Sequence, residues 1–113
     1  MTGYERGDVV LVRLVFADES GERQRPAVIV SSAAYHQSRQ EAIIAAITSR
    51  TDPILVGDHL ISEWQEAGLL FPSVATGILR TIKQGMIAKK LGIMALPDMR
   101  RIEGNLRDAL ELK

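Results

Sequence analysis

Short apolar runs rich in β-branched residues constrain this chain more than any other feature. Residues 9–16 (Val-Val-Leu-Val-Arg-Leu-Val-Phe), 27–31 (Ala-Val-Ile-Val-Ser) and 42–49 (Ala-Ile-Ile-Ala-Ala-Ile-Thr-Ser) are each bounded by polar or turn-forming residues. Such runs are short for helices, and their Val, Ile and Thr content suits strands. Gly7-Asp8 supplies a turn into the first, which reads as a buried strand. Arg25-Pro26 precedes the second, and a proline without an N–H belongs at a strand's first residue or edge. The alanines of the third leave a helix as the alternative to a strand.

The connections follow from turn chemistry. Residues 17–24 are polar and contain Ser20-Gly21, which predicts a loop or a long hairpin connection. Residues 32–41 predict a turn or short helix, in which Tyr35 fits either core packing or a polar loop contact. Asp52-Pro53 is a turn. Leu55-Val56 and residues 59–61 predict a short strand pair around Gly57-Asp58. Residues 63–68 predict one helical turn ended by Gly68. Residues 73–75 and 78–82 predict two strands flanking Thr76-Gly77, and residues 87–94 a further short piece around Gly92.

The C-terminal segment has a different period. From Pro97, apolar residues fall at Met99, Ile102, Leu106, Ala109 and Leu110, one face of an amphipathic helix. Pro97 suits its first turn and Asp98 its N-terminal dipole, while Gly104 weakens it by roughly 1 kcal/mol relative to alanine. No repeat, linker or low-complexity stretch divides the 113 residues. One mainly β domain over 1–113 is expected, barrel-like, with short helices and a C-terminal α-helix.

Charge and composition narrow the chemistry. Lys plus Arg and Asp plus Glu each number 14, so the formal net charge is zero. A protein that coats nucleic acid non-specifically is strongly basic, so any such contact here must come from a local patch. Ten of the 14 cations are Arg, which suits bidentate phosphate contacts and equally fits a simple reflection of genome composition. Cys is absent, removing disulfides, thiol chemistry and Cys-based zinc sites. His36 and His59 are far apart, and each reads as a solvated surface residue, so neither a metal nor a cofactor is expected. There is no phosphate-binding glycine loop and no G-x-S-x-G nucleophile turn. No apolar run approaches a membrane span and Met1–Tyr4 carries no secretory pattern, so the cytoplasm is the expected compartment.

What remains is polar chemistry at strand ends. Arg25 precedes one strand, and Thr48 and Ser49 close another. A guanidinium offers paired donors and a hydroxyl one more, a combination able to hold a phosphate. From the residues alone each also fits a plainer role, Arg25 as a solvated edge residue and Thr48-Ser49 as a turn.

Taken in order, several segments resemble the PemK/MazF family of toxin ribonucleases. They are residues 6–12 (Arg-Gly-Asp-Val-Val-Leu-Val), residues 25–31 (Arg-Pro-Ala-Val-Ile-Val-Ser) and residues 46–49 (Ala-Ile-Thr-Ser). Residues 73–82 and Leu91-Gly92-Ile93-Met94 with the helix after them complete the set. The resemblance implies an SH3-like barrel of curved strands, acting as a homodimer. It implies metal-independent cleavage of single-stranded RNA to 2′,3′-cyclic phosphate and 5′-OH ends. It also implies inhibition by a cognate antitoxin whose disordered tail occupies the RNA groove. Arg25 would then serve in proton transfer and phosphate stabilisation, and Thr48 would hold the phosphate. A guanidinium holds its proton too tightly to be a good general base, which favours the electrostatic role.

Ser49, Arg80, Arg23 and Arg50 are the expected RNA-binding residues, with base recognition resting on residues 17–24 and 49–58. Some family members place an acid shortly after the later-strand arginine; Arg80-Thr81-Ile82-Lys83 has none. That departure keeps two alternatives open: a non-catalytic, CcdB-like gyrase-binding toxin, and an inactive relative of the same fold that only binds a partner. Leu69-Leu70-Phe71 fits either the core or a dimer interface.

Overall fold

The computed structural model describes residues 3–16 and 21–113. The described residues form six strands: β1 (Asp8–Phe16), β2 (Gly21–Ile29), β3 (Glu41–Thr48), β4 (His59–Leu60), β5 (Val74–Lys83) and β6 (Ile87–Ile93). The helices α1 (Ala33–Ser38) and α2 (Leu96–Leu110) accompany them. The strands form one antiparallel sheet in the order β4-β5-β3-β2-β1-β6.

That order forces curvature. β5 and β6 lie four strand positions apart, about 19 Å in a flat sheet. Only the 3-10 turn Gln84–Met86 connects them, and the four steps from Lys83 to Ile87 reach at most about 14 Å. The sheet must therefore roll. It does not close, because β4 and β6 remain unpaired edges. The turn over residues 63–68 crosses the seam instead. Gly68 has φ +84°, and a Cβ there would lie 2.1 Å from the Leu91 carbonyl oxygen. A Cβ on Gly92 would lie 2.6 Å from Ala67 backbone. Two glycines let the backbones touch where a seventh strand would close the barrel.

The central strands are buried on both faces. On one, Val9, Val28, Ala45 and Ile47 pack with Met99 and Ile102 of α2. On the other, Val10, Val12, Ala27, Ile29 and Ile44 form a second core with Ile82 and Ile87. Two-sided burial explains why the first two runs are nearly continuous rather than alternating.

Several expectations need correction. β2 begins at Gly21, so residues 21–24 are strand, not loop; residues 17–20 lie outside the described residues. Arg25 consequently sits mid-strand, opposite Val12. β3 is a strand, held between β2 and β5. The two strands expected at residues 73–75 and 78–82 are one continuous β5 starting at Val74, since Gly77 makes no turn: a Cβ there would meet the Gly57 Cα at 3.2 Å. β4 pairs with β5 at Ala75 and Val74, not with Leu55-Val56.

Neither histidine is solvated. His36 is buried, with Nε2 2.6 Å from Ser31 Oγ. His59 Nε2 lies 2.7 Å from Asp98 Oδ1. Asp98 was expected to serve its own helix dipole, yet it is 2 % exposed and also accepts the Ser62 and Glu63 N–H groups at 2.9 Å. Burial pushes its carboxyl pKa up, but these bonds from Ser62, His59 and Glu63 outweigh it and hold the value below the ordinary range. No helix among the described residues is long and apolar enough to cross a membrane.

Candidate nucleic-acid interface

The sheet splits between β2 and β3. Ala27, Val28 and Ile29 pair with Ala46, Ala45 and Ile44, and the ladder stops there. Below it, β2 continues with β1 alone, Arg25 opposite Val12. β3 continues with β5 alone, Thr48 opposite Val74. Two local features end the ladder. Pro26 has no N–H to offer β3. On the other side, the β3–β5 register shifts between Ala45 and Ile47, and Thr76 Oγ1 donates to the Ala46 carbonyl at 2.7 Å.

The wedge opens into two cavities sharing Arg25, Pro26, Ile47 and Thr48. The larger, about 670 Å³, adds Gln24, Ser49 and Lys89, with Leu11, Leu91 and residues 68–71 as apolar wall. The smaller, about 300 Å³, is lined further by Val12, Leu14, Ile78 and Arg80.

Both wedge side chains are available to a ligand. Arg25 is exposed, and its one hydrogen bond among the described residues is a 3.4 Å contact to the adjacent Gln24 carbonyl. Thr48 Oγ1 accepts the Arg50 N–H at 3.1 Å, which orients the hydroxyl and leaves its proton to donate. Among the described residues, no carboxylate or imidazole lines either cavity, whereas Arg25, Lys89 and Arg80 do. A chain of zero net charge thus carries a locally cationic cleft.

Of the candidates read from sequence, the structure gathers Arg25, Thr48 and Ser49 at the larger cavity and Arg80 at the smaller. Arg23, opposite Leu14 on β2, and Arg50 line neither. The acid missing after Arg80 is not replaced across the sheet. Glu41 pairs with Lys83 at 3.0 Å, that hydrogen bond holding its carboxyl below the usual range, and it lines neither cavity. Sequence reading missed Lys89 and underrated Phe71. Strand alternation separates Lys89 from Lys90, but only the structure decides between them: Lys90 is 3.3 Å from buried Asp8, and Lys89 lines the cavity.

The model of the PemK-like, MazF-like toxin family of type II toxin-antitoxin systems matches residues 5–110. The chain belongs to that family. Solved PemK/MazF-like structures share its fold. One is an endoribonuclease in complex with its cognate antitoxin from Mycobacterial species, with TM-score 0.79 and 20 % identity over 98 % of each chain. A MazE-MazF crystal structure (Form-II) from Deinococcus radiodurans gives TM-score 0.78 at 17 % identity over 100 % of each chain. The Mycobacterium tuberculosis toxin MazF-mt6 gives 0.75 at 19 %, over 94 % of this chain and 98 % of its own. A search of curated protein sequences gives no match. The curved sheet with its C-terminal helix, expected from the resemblance, is the PemK/MazF-like fold observed.

Proposed function

We propose that this chain is a metal-independent endoribonuclease toxin that cleaves single-stranded RNA, works as a homodimer in the cytoplasm, and is silenced by a cognate antitoxin. One observation carries the reading. The β2–β3 wedge presents the Arg25 guanidinium and the Thr48 hydroxyl to the same cavities, with no carboxylate among the described lining residues. Family membership and the endoribonuclease and antitoxin named for its structural neighbours support it.

The chemistry suits these side chains. The ribose 2′-OH gives up its proton and attacks the adjacent phosphorus. The new 2′-O–P bond forms as P–O5′ breaks, and the departing O5′ takes a proton. The attacking oxygen belongs to the substrate, so the enzyme need not activate water. Its task is to neutralise charge building on the non-bridging oxygens. Arg25 offers a paired donor set, and Thr48 a hydroxyl already oriented by the Arg50 N–H. Arg25 acts as an electrostatic clamp. Ser49 and Arg80 hold neighbouring stretches of the strand, and Arg23 and Arg50 contribute only at its margins.

The test is a long single-stranded RNA incubated with the protein in EDTA, followed by end-group mapping. Cleavage leaving 2′,3′-cyclic phosphate and 5′-OH ends is expected. Intact RNA accompanied by DNA damage on expression would overturn this reading in favour of a gyrase-binding toxin. A monomer at micromolar concentration in sedimentation would remove the dimer.

A further inference from the structure

Beyond the phosphate-holding pair, the larger cavity has a second half. Leu70 and Phe71 stand on its rim, 82 % and 62 % exposed, although both are large and apolar. Lys89 of β6 lines the same cavity. We infer that Phe71, Leu70 and Lys89 form a nucleotide subsite, in which an unpaired base of the RNA stacks on Phe71 while Lys89 holds its phosphate. The inference rests on the ribonuclease reading and deepens it.

Three observations converge on this subsite. The first is rigidity. Phe71 sits on a segment pinned at both ends. Gly68 is wedged against Leu91 backbone, so closely that a Cβ would overlap the carbonyl oxygen. Leu69 is buried, and its N–H donates to the Trp64 carbonyl at 3.1 Å. Beyond the ring, Ser73 Oγ donates to the Phe71 carbonyl at 2.7 Å. An exposed ring on so fixed a backbone has lost much of its freedom before any ligand arrives, which lowers the entropic cost of binding.

The second is that Phe71 has no ring partner. Among the described residues the aromatic and cation–π contacts involve Tyr35, with His36 and Arg39. The face of Phe71 is free to stack.

The third is charge. Lys83 and Lys90 each pair with a carboxylate, Glu41 and Asp8. Lys89 has no such pair among the described residues, and no carboxylate lines its cavity. An apolar ring beside uncompensated cations fits a single-stranded nucleic acid, whose bases stack while its phosphates need countercharge. It fits a neutral apolar protein surface poorly, because Lys89 would be buried without a partner.

Three variants test this, each compared with wild type on a single-stranded RNA without antitoxin. Phe71→Ala is expected to raise KM about 5- to 150-fold while kcat changes little, the range measured for losing one stacked base. Phe71→Trp should restore KM. Lys89→Gln is expected to lower the slope of log affinity against log salt by about 0.7, the loss of one phosphate contact to a single strand. Unchanged KM in Phe71→Ala with wild-type cleavage would overturn the subsite and leave the ribonuclease reading intact. Unchanged KM with a shift toward monomer in sedimentation would likewise overturn it, assigning the ring to a contact between copies. A wild-type protein that neither binds nor cuts RNA would overturn both.

Discussion

The two halves of β2 differ more than their place in one strand suggests. Ala27, Val28 and Ile29 have β1 on one side and β3 on the other, and all three are buried. Arg23, Gln24 and Arg25 keep β1 but have lost β3, and all three are exposed. Pro26 stands at the join. The upper half has its hydrogen bonds committed to two neighbouring strands and its side chains to the core. The lower half is held in place by one neighbour and is open toward the other. The missing N–H of Pro26, together with the register shift beside Ala46, converts a structural strand into a rigid shelf for side chains.

The sharpest way to probe this contrast is at Arg25. Arg25→Ala is expected to lower kcat by about 10²–10³, the usual cost of removing one preorganised donor of transition-state charge. Thr48→Ala should act in the same direction. Both should leave the melting temperature within a few degrees of wild type, because neither side chain is buried. Undiminished cleavage by both variants would remove the site assignment.

Four residues along, the same strand should behave in the opposite way. Ile29 is fully buried, and Ile29→Ala is expected to cost about 3 kcal/mol in urea unfolding while the folded fraction keeps its kcat. A large activity loss at unchanged stability would show that the halves are not independent.

Asp98, remote from both halves, gives a pH-dependent control. Its folded pKa lies below its unfolded one, so its contribution is complete above about pH 4 and is lost as pH falls through the folded value. Asp98→Asn should lower stability at neutral pH by about 1–3 kcal/mol and flatten that part of the acid limb, with cleavage unaffected. Acid titration followed by circular dichroism reads both. The smallest effect is expected at Arg50. Its side chain lines neither cavity, so Arg50→Ala should change kcat/KM by less than about threefold, because its N–H still orients Thr48.

What was legible in the sequence follows the same division. β1, β3 and α2 could be read because burial writes itself as apolar content and period. The lower half of β2 could not. Glu22-Arg23-Gln24-Arg25 has loop composition, and what makes it a strand is β1's ladder, a backbone effect with no side-chain signature. Thr76-Gly77 misled for a different reason. Glycine marks a turn or a close approach equally well, and here it admits Gly57. The roles of His59 and Asp98 were hidden because the partners lie 39 residues apart. Arg25 and Thr48 stood out through their segments' resemblance to a family. Lys89 and Phe71, which complete the cavity, depend on the roll of the sheet.

The three-residue link from β5 to β6 also sets an order of events during synthesis. In the finished sheet β1 is an inner strand, yet its partners on β6 are made 75 to 85 residues later, Ile87 for Val12 and Ile93 for Asp8. At about 5–20 residues per second, that is roughly 4–17 seconds on the ribosome. Through that interval Val9, Val10 and Val12 form an open, apolar sheet edge. The wall carrying Lys89 does not yet exist either, so a growing chain holds Arg25 and Thr48 well before it holds a complete cavity.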